Sequence, residues 1–333
     1  MLFTLASCKQ VKTSDTFAAM NTYITVQVYA RTARQGEEAC AAAKAELAAL
    51  ETLLSTTIAE SDTYKLNHAG GAPTAVHQCV YDVLDFSLQM HERTGGLFNP
   101  ALYPLIRAWG FTTGDYRVPS EAERTELLSH SDCTQVRINA ADSAALPYTV
   151  QLLPDMQLDF GGIAKGYAGD CALARLSALG ITSALVNLGG NVQTLGAKPD
   201  GSPWTVGITN PWGGEAVCAV KIAGKAVVTS GGYERFFEDD DGTRYIHIFD
   251  ARTGLPADSG LESVTVIAER GMYADALSTS LFVMGKDAAV SFWKAAQDFD
   301  CILITSEGEL LYSAGIANAL SVQFPFASVT EIR

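Results

Sequence analysis

Asp159-Phe160-Gly161-Gly162-Ile163-Ala164-Lys165-Gly166 is the stretch from which the rest of the chain is best read. It follows an expected strand near Met156–Asp159 and opens an expected helix from about Ile163 to Leu179. Gly161 and Gly162 allow backbone angles closed to other residues and let main-chain donors approach a ligand. Lys165, in the next turn, reaches an anionic oxygen as a point charge. The spacing matches neither G-x-x-x-x-G-K-[ST] nor G-x-G-x-x-G, so ATPase and dinucleotide-fold readings lose their main support. A plain strand-to-helix turn with Lys165 in solvent fits the same residues.

More than a hundred residues later, Asp275-Ala276-Leu277-Ser278-Thr279 places a carboxylate and a hydroxyl at i,i+4 on one helical face. One carboxylate, one hydroxyl and a backbone carbonyl suffice for a magnesium-like ion when ligand phosphates complete its shell. The pair also suits a helix aspartate favoured by the dipole, with the threonine bonding within its own helix. Between the two stretches, Thr229-Ser230-Gly231-Gly232-Tyr233-Glu234-Arg235 and the run from Tyr245 to Gly254 add polar groups to a strand-rich region. Thr229, Ser230, Tyr233 and Arg235 are candidates for holding phosphate or ring edges, or else they decorate a surface hairpin. His247, alternating with Ile246 and Ile248, is a phosphate donor, a proton carrier or a satisfied interior imidazole.

Period-two alternation predicts strands over 22–29, 183–188, 204–209, 217–222, 226–229, 245–249 and 263–268, with a hairpin of 301–305 and 310–312 about Glu307-Gly308. Helical spacing predicts helices over 37–54, 76–90, 122–128, 274–284 and 288–297. Gly95-Gly96 ends the second, and Ser120 with Glu123 caps the third. Gly213-Gly214 and Asp240-Asp241-Gly242 read as hairpin turns. Antiparallel pairings broken by helices imply an α+β fold, with mixed, largely antiparallel sheets and packed helices.

Hydrophobic residues at 48% against charged residues at 18% exclude a disordered chain. The 333 residues suit one large domain or two closely packed ones, and no linker or internal repeat divides them. A net charge of −14 argues against nucleic acid as a partner and requires local compensation for any anionic ligand. The seven cysteines are scattered without C-x-x-C spacing, which argues against structural zinc and forces no disulfide framework. Beyond the amino-terminal stub, no apolar run of 18 or more residues occurs. Leu5-Ala6-Ser7-Cys8 in that stub resembles a bacterial lipobox, in which the cysteine becomes lipid-modified.

Taken together, the chain resembles the bacterial family of ApbE-like flavin transferases, which move FMN from FAD onto a threonine or serine of a target protein. The marks are Met20-Asn21-Thr22, Ser61-Asp62-Thr63-Tyr64-Lys65-Leu66-Asn67, Asp159 through Asp170, Asn187-Leu188-Gly189-Gly190-Asn191, Ser230 through Arg235, His247 through Gly254 and Ala274 through Met284. The resemblance covers about Thr16 to Ile332 and implies one catalytic domain over 16–333 behind a leader and tether over 1–15. It further implies FAD as substrate and magnesium held by Asp275, Thr279 and the Ala164 carbonyl. Lys165 and His247 are then expected near the pyrophosphate, with His247, Asp275 and Lys165 as the catalytic set. Asp159, Gly161, Gly162 and Asn187 shape the pocket, Met20 and Tyr64 border the ring systems, and Asn21, Ser230 and Tyr233 complete the contacts. Two departures stand out: Asn21 replaces the family's usual glycine, and Ile246-His247 replaces a doubled histidine. The implied setting is the bacterial periplasm, with attachment to a membrane through Cys8. A magnesium-dependent FAD pyrophosphatase, yielding FMN and AMP, and a flavin-binding lipoprotein without turnover are the alternatives.

Overall fold

The computed structural model describes residues 10–140 and 145–333, so Cys8 and its expected lipid attachment lie outside the described residues. The main sheet comprises β1 (Val11–Ala19), β2 (Thr22–Ala30), β3 (Ser183–Leu188), β4 (Asn191–Leu195), β5 (Ala226–Gly231), β6 (Leu261–Ala268), β7 (Asp300–Thr305), β8 (Glu309–Ser313) and β9 (Ser328–Ile332). Its spatial order is the chain order, and every neighbouring pair is antiparallel except β8 with β9. The helices are α1 (Ala33–Leu54), α2 (Asp62–Asn67), α3 (Gln78–Arg93), α4 (Tyr103–Ala108), α5 (Glu121–Ser129), α6 (Ala164–Ala178), α7 (Gly271–Met284) and α8 (Lys286–Ala296).

Strand alternation gives the main sheet two apolar faces. Ile24, Val26, Val28, Val228, Val264, Val266 and Leu303 join the core formed with α1, α6 and α7. Val227, Ile267, Ile302 and Ile304 point the other way, against a small sheet of Trp204–Ile208, Cys218–Ile222 and Leu320–Val322. The apolar stripe Ala39, Ala43, Leu47, Leu50 and Leu54 fixes α1 to the sheet, and truncating the fully buried Leu47 to alanine costs about 2–5 kcal/mol. A third cluster gathers Leu102, Leu105, Trp109, Phe111 and Phe249, with the Trp109 indole donating to the Gly254 carbonyl at 3.0 Å.

The register decides where function can be placed. Ile24 pairs with Leu188, Leu188 with Asn191, and Asn191 with Val228. The β1–β2 turn at Met20-Asn21, the β3–β4 turn at Gly189-Gly190 and the carboxyl end of β5 therefore share one end of the sheet.

Three sequence expectations change. Val11–Asp15, read as tether, form the first half of β1, an edge strand whose side chains are mostly exposed and so lack the alternation signal. Met156–Asp159 is extended but is not a strand, because its partners are side chains and a loop rather than a ladder. The Asn67 amide donates to the Leu158 carbonyl at 2.8 Å and its oxygen accepts from the Leu158 N–H at 2.7 Å; the Asp159 N–H donates to the Pro100 carbonyl at 2.7 Å. The expected strand at 245–249 splits into Arg244–Ile246 and Phe249–Asp250, leaving His247 and Ile248 between two short pairings.

Candidate active site

A cleft of ≈ 900 Å³ opens at that shared end of the sheet, within the size range of small-ligand sites. The crossing of α6 and α7 builds its floor. Gly166 lies so close to α7 that a Cβ there would stand 2.3 Å from the Gly271 carbonyl oxygen. Gln193 of β4, fully buried, fills the space beside the crossing and donates to the Gly166 carbonyl at 2.9 Å. Asp170 of α6 caps the start of α7, accepting from the Gly271 N–H at 2.7 Å and the Met272 N–H at 2.9 Å. Asp275 of α7 returns the contact, its Oδ2 accepting from the Gly166 N–H at 2.7 Å. The two helices thus hold each other by reciprocal carboxylate contacts, and Ala164 and Lys165 come to face Asp275 and Thr279. Gly162 completes the approach: a Cβ there would lie 3.5 Å from the Thr279 hydroxyl oxygen.

Burial at the crossing sets the charges. Asp275 is 5% exposed, and burial raises its pKa against the opposing pull of Lys165, the Gly166 N–H and Asn191. Asp159 is raised in the same way, with its Oδ1 accepting from the Gly161 N–H at 2.7 Å. Among the described residues Lys165 donates only to the Gly161 carbonyl, at 3.5 Å, and its charge acts on Asp159, Glu234, His247 and Asp275 alike. Arg235 ties its guanidinium to the Phe111 carbonyl at 2.7 Å, so it too faces the cleft without a carboxylate partner among the described residues. Burial, then the Arg235 charge, lowers the His247 pKa to about 4. His247 Nδ1 meets the Arg235 carbonyl oxygen at 3.1 Å. A carbonyl only accepts, so Nδ1 carries the proton and Nε2 keeps a free lone pair.

Against this geometry, the profile of the ApbE family matches residues 20–303. The chain belongs to the ApbE family. The FAD:protein FMN transferase of Treponema pallidum (strain Nichols) is 38% identical over 284 residues, spanning 82% of this chain and 78% of that protein. A Klebsiella pneumoniae (strain 342) protein of the same description is 34% identical over 267 residues, spanning 79% and 81%. The crystal structure of the ApbE protein from Thermotoga maritima superposes with a TM-score of 0.83 at 31% identity, covering 92% of this chain and 98% of that one. The apo flavinyl transferase ApbE of Pseudomonas stutzeri gives 0.78 at 31%, covering 90% and 92%. The mixed α+β fold with largely antiparallel sheets is therefore the ApbE fold.

Of the residues singled out in the sequence, this ApbE-family cleft is lined by Met20, Asn21, Asp159, Gly161, Gly162, Ala164, Lys165, Thr229, Ser230, Tyr233, Arg235, His247, Asp275 and Thr279. Met20 and Asn21 form the β1–β2 turn at φ 51° and 57°, a left-handed conformation that disfavours a side chain such as Met20 by about 1–2 kcal/mol. The Glu51 carboxylate holds it there, accepting from the Met20 N–H at 2.7 Å. Ser230 Oγ lies 2.8 Å from Ser278 Oγ and 3.3 Å from Thr279 Oγ1. Two of the residues do not line the cleft. The Tyr64 ring stacks on His68 at 3.9 Å, one turn along. Asn187 instead braces the Gly189-Gly190 turn, its Oδ1 accepting from the Gly190 N–H at 3.0 Å.

The glycine turn also differs from its expected use. The Gly161 and Gly166 N–H groups are engaged by Asp159 and Asp275, so less of the turn's backbone is open to a ligand than the glycine spacing implies. Sequence reading missed Glu51, Asp170, Gln193 and Glu234. The Gly166-x-x-Gly169 pair was the available signal for the crossing: glycine inside a helix is unfavourable and marks close approach.

Proposed function

We propose that this ApbE-family protein transfers FMN from FAD to a threonine or serine hydroxyl of an acceptor protein, with magnesium bound and AMP released. The observation that carries the reading is the α6–α7 crossing, which brings Lys165 and Ala164 against Asp275 and Thr279 in one cleft.

The residues fit a hard cation. Asp275 is a buried carboxylate held by the Gly166 N–H, with no ion-pair partner among the described residues, and a cation would relieve its burial penalty. Thr279 and the Ala164 carbonyl add neutral oxygens. Among the described residues no three His, Cys, Asp or Glu side chains gather to hold a metal. A cation in this cleft therefore depends on ligand phosphate oxygens, as suits magnesium. When bound, it offsets charge on the pyrophosphate.

Lys165 and Arg235 supply fixed positive charge where the transferred phosphorus and the departing AMP gain negative charge. Neutral His247 accepts a hydrogen bond at Nε2 and orients a hydroxyl for in-line attack. Met20 and Asn21, with Phe98 and Phe111, wall the space beside the flavin.

For location, we propose a periplasmic protein attached to a membrane through lipid on Cys8. No helix among the described residues is long and apolar enough to cross a membrane. Incubation with FAD, magnesium and an acceptor bearing the target threonine tests the reaction, reading acceptor-bound flavin and AMP together. Equal amounts of both are expected. AMP without acceptor-bound flavin would replace transfer by hydrolysis, and the absence of both would leave flavin binding alone.

A further inference from the structure

Two buried carboxamides stand behind the α6–α7 crossing, and one of them opens onto the cleft. Asn191 and Gln193 are two apart on β4, so both leave the sheet on the face that carries α6 and α7, while Val192 between them joins the opposite core. They are 2% and 1% exposed. What they touch fixes which way each amide points. The Gly166 carbonyl only accepts, so the Gln193 atom 2.9 Å from it is the donor Nε2. The same Nε2 gives its second proton to Asn191 at 3.0 Å, so the Asn191 atom there is the acceptor Oδ1. The packing is tight: a Cβ on Gly169 or Gly271 would stand 2.1 or 1.9 Å from Nε2, so the Gln193 amide is wedged in place.

Asn191 Nδ2 is thereby turned away from Gln193 and toward Asp275, whose charged form it favours. It has no hydrogen-bond partner among the described residues, and Asn191 lines the cleft with Lys165, Asp275 and Thr279. A buried donor left open in this way is uncommon in a native protein and marks a place where something else supplies the acceptor. An amide –NH2 has no lone pair for a cation, so its complement is an oxygen of the ligand and not the metal. Beside Lys165, that oxygen belongs to an anion. We propose that Asn191 is a further substrate-binding residue, donating from Nδ2 to a phosphate oxygen of the FAD pyrophosphate, with its amide orientation set by Gln193. The arrangement leaves Gln193 Oε1 unpaired, which is the cost of holding the Asn191 donor toward the cleft.

This inference rests on the reading of the cleft as a pyrophosphate site, and calorimetric titrations of wild type, Asn191→Ala and Asn191→Ser in magnesium test it. Two probes are used: ADP, which carries a pyrophosphate but no flavin to transfer, and riboflavin, which carries the flavin but no phosphate. Asn191→Ala should weaken ADP binding by roughly 10–100-fold, the range for one hydrogen bond to a charged group, and leave riboflavin within threefold of wild type. Asn191→Ser keeps a shorter donor and an acceptor for Gln193, so its ADP affinity should fall between the two. Circular dichroism confirms folding, and if Asn191→Ala does not fold, the ADP and riboflavin affinities of Asn191→Ser decide. A folded variant that binds ADP as wild type does, or that loses riboflavin as heavily as ADP, overturns the assignment while the transfer reading stands. A wild type that binds ADP but moves FMN to no acceptor overturns the transfer reading and leaves Asn191 in its role; one that binds no ADP overturns the assignment.

Discussion

Gly166→Ala probes the α6–α7 crossing without touching any group given a chemical role. The added Cβ would stand 2.3 Å from the Gly271 carbonyl oxygen and 2.7 Å from the Met272 Cα, where ordinary contact begins at 3.4 Å. Both neighbours are backbone, so neither can rotate away, and the helices must part by roughly 1 Å. That shift stretches the 2.7 Å bond from the Gly166 N–H to Asp275 and moves Lys165 away from the Asp275–Thr279 face. Overpacking of this kind costs about 1–3 kcal/mol and, for a chain of 333 residues, lowers the thermal midpoint by roughly 1–4 °C. Misplacing a reacting constellation by about 1 Å costs on the order of 10²-fold in rate. The assay is kcat for acceptor flavinylation below the variant's melting range, with circular dichroism as the control for folding. A folded Gly166→Ala protein within about threefold of wild-type kcat would refute the claim that this crossing aligns the site.

Asp275→Asn keeps an acceptor for Gly166 but removes a buried charge. Its raised folded pKa means that the group's contribution to stability diminishes as pH rises from its unfolded value of 3.8. At pH 7 without ligand the variant should melt roughly 1–3 °C higher while losing turnover, and a lower midpoint contradicts this. His247, with its folded pKa lowered from 6.5 to about 4, contributes stability above pH 6.5 that is lost as pH falls toward 4. Its ring resonances should stay constant between about pH 6 and 8 by NMR; a midpoint near 6.5 would show an unperturbed imidazole. Asp170→Ala removes both caps from the start of α7, which should cost about 1–2 kcal/mol in a denaturant melt and reduce kcat; unchanged stability would contradict the capping role.

The parts legible in the sequence were those whose physics is local. Thr22–Ala30 alternates because one face is core, and Leu47, Leu50 and Leu54 repeat because α1 buries a stripe. The Asp159–Gly166 turn, α6 and α7 announced themselves through glycine and helical spacing. Asn191–Leu195 was hidden because its buried Asn191, Gln193 and Thr194 look like loop residues; Gln193, held by Asn191, serves the helix crossing and Thr194 bonds the Lys225 backbone, which is visible only in three dimensions. The edge strand Val11–Ala19 was hidden for the opposite reason, having little buried surface to pattern. Glu234 was given no role, since nothing local reveals that it lines one cleft with Lys165 and Asp275. Tyr64 and Asn187 were assigned by resemblance, and their side chains support α2 and the Gly189-Gly190 turn in place of the cleft wall.

In the proposed reaction the pyrophosphate of FAD is clamped where α6 crosses α7. A crystal structure of the protein with FAD and manganese in place of magnesium tests it most directly, because the anomalous signal of manganese locates the cation. The expected result is a cation held by Asp275, the Thr279 hydroxyl and the Ala164 carbonyl beside the pyrophosphate, with the Lys165 ammonium on the same phosphates. A cation away from Asp275, or a flavin nucleotide bound outside this cleft, would contradict it.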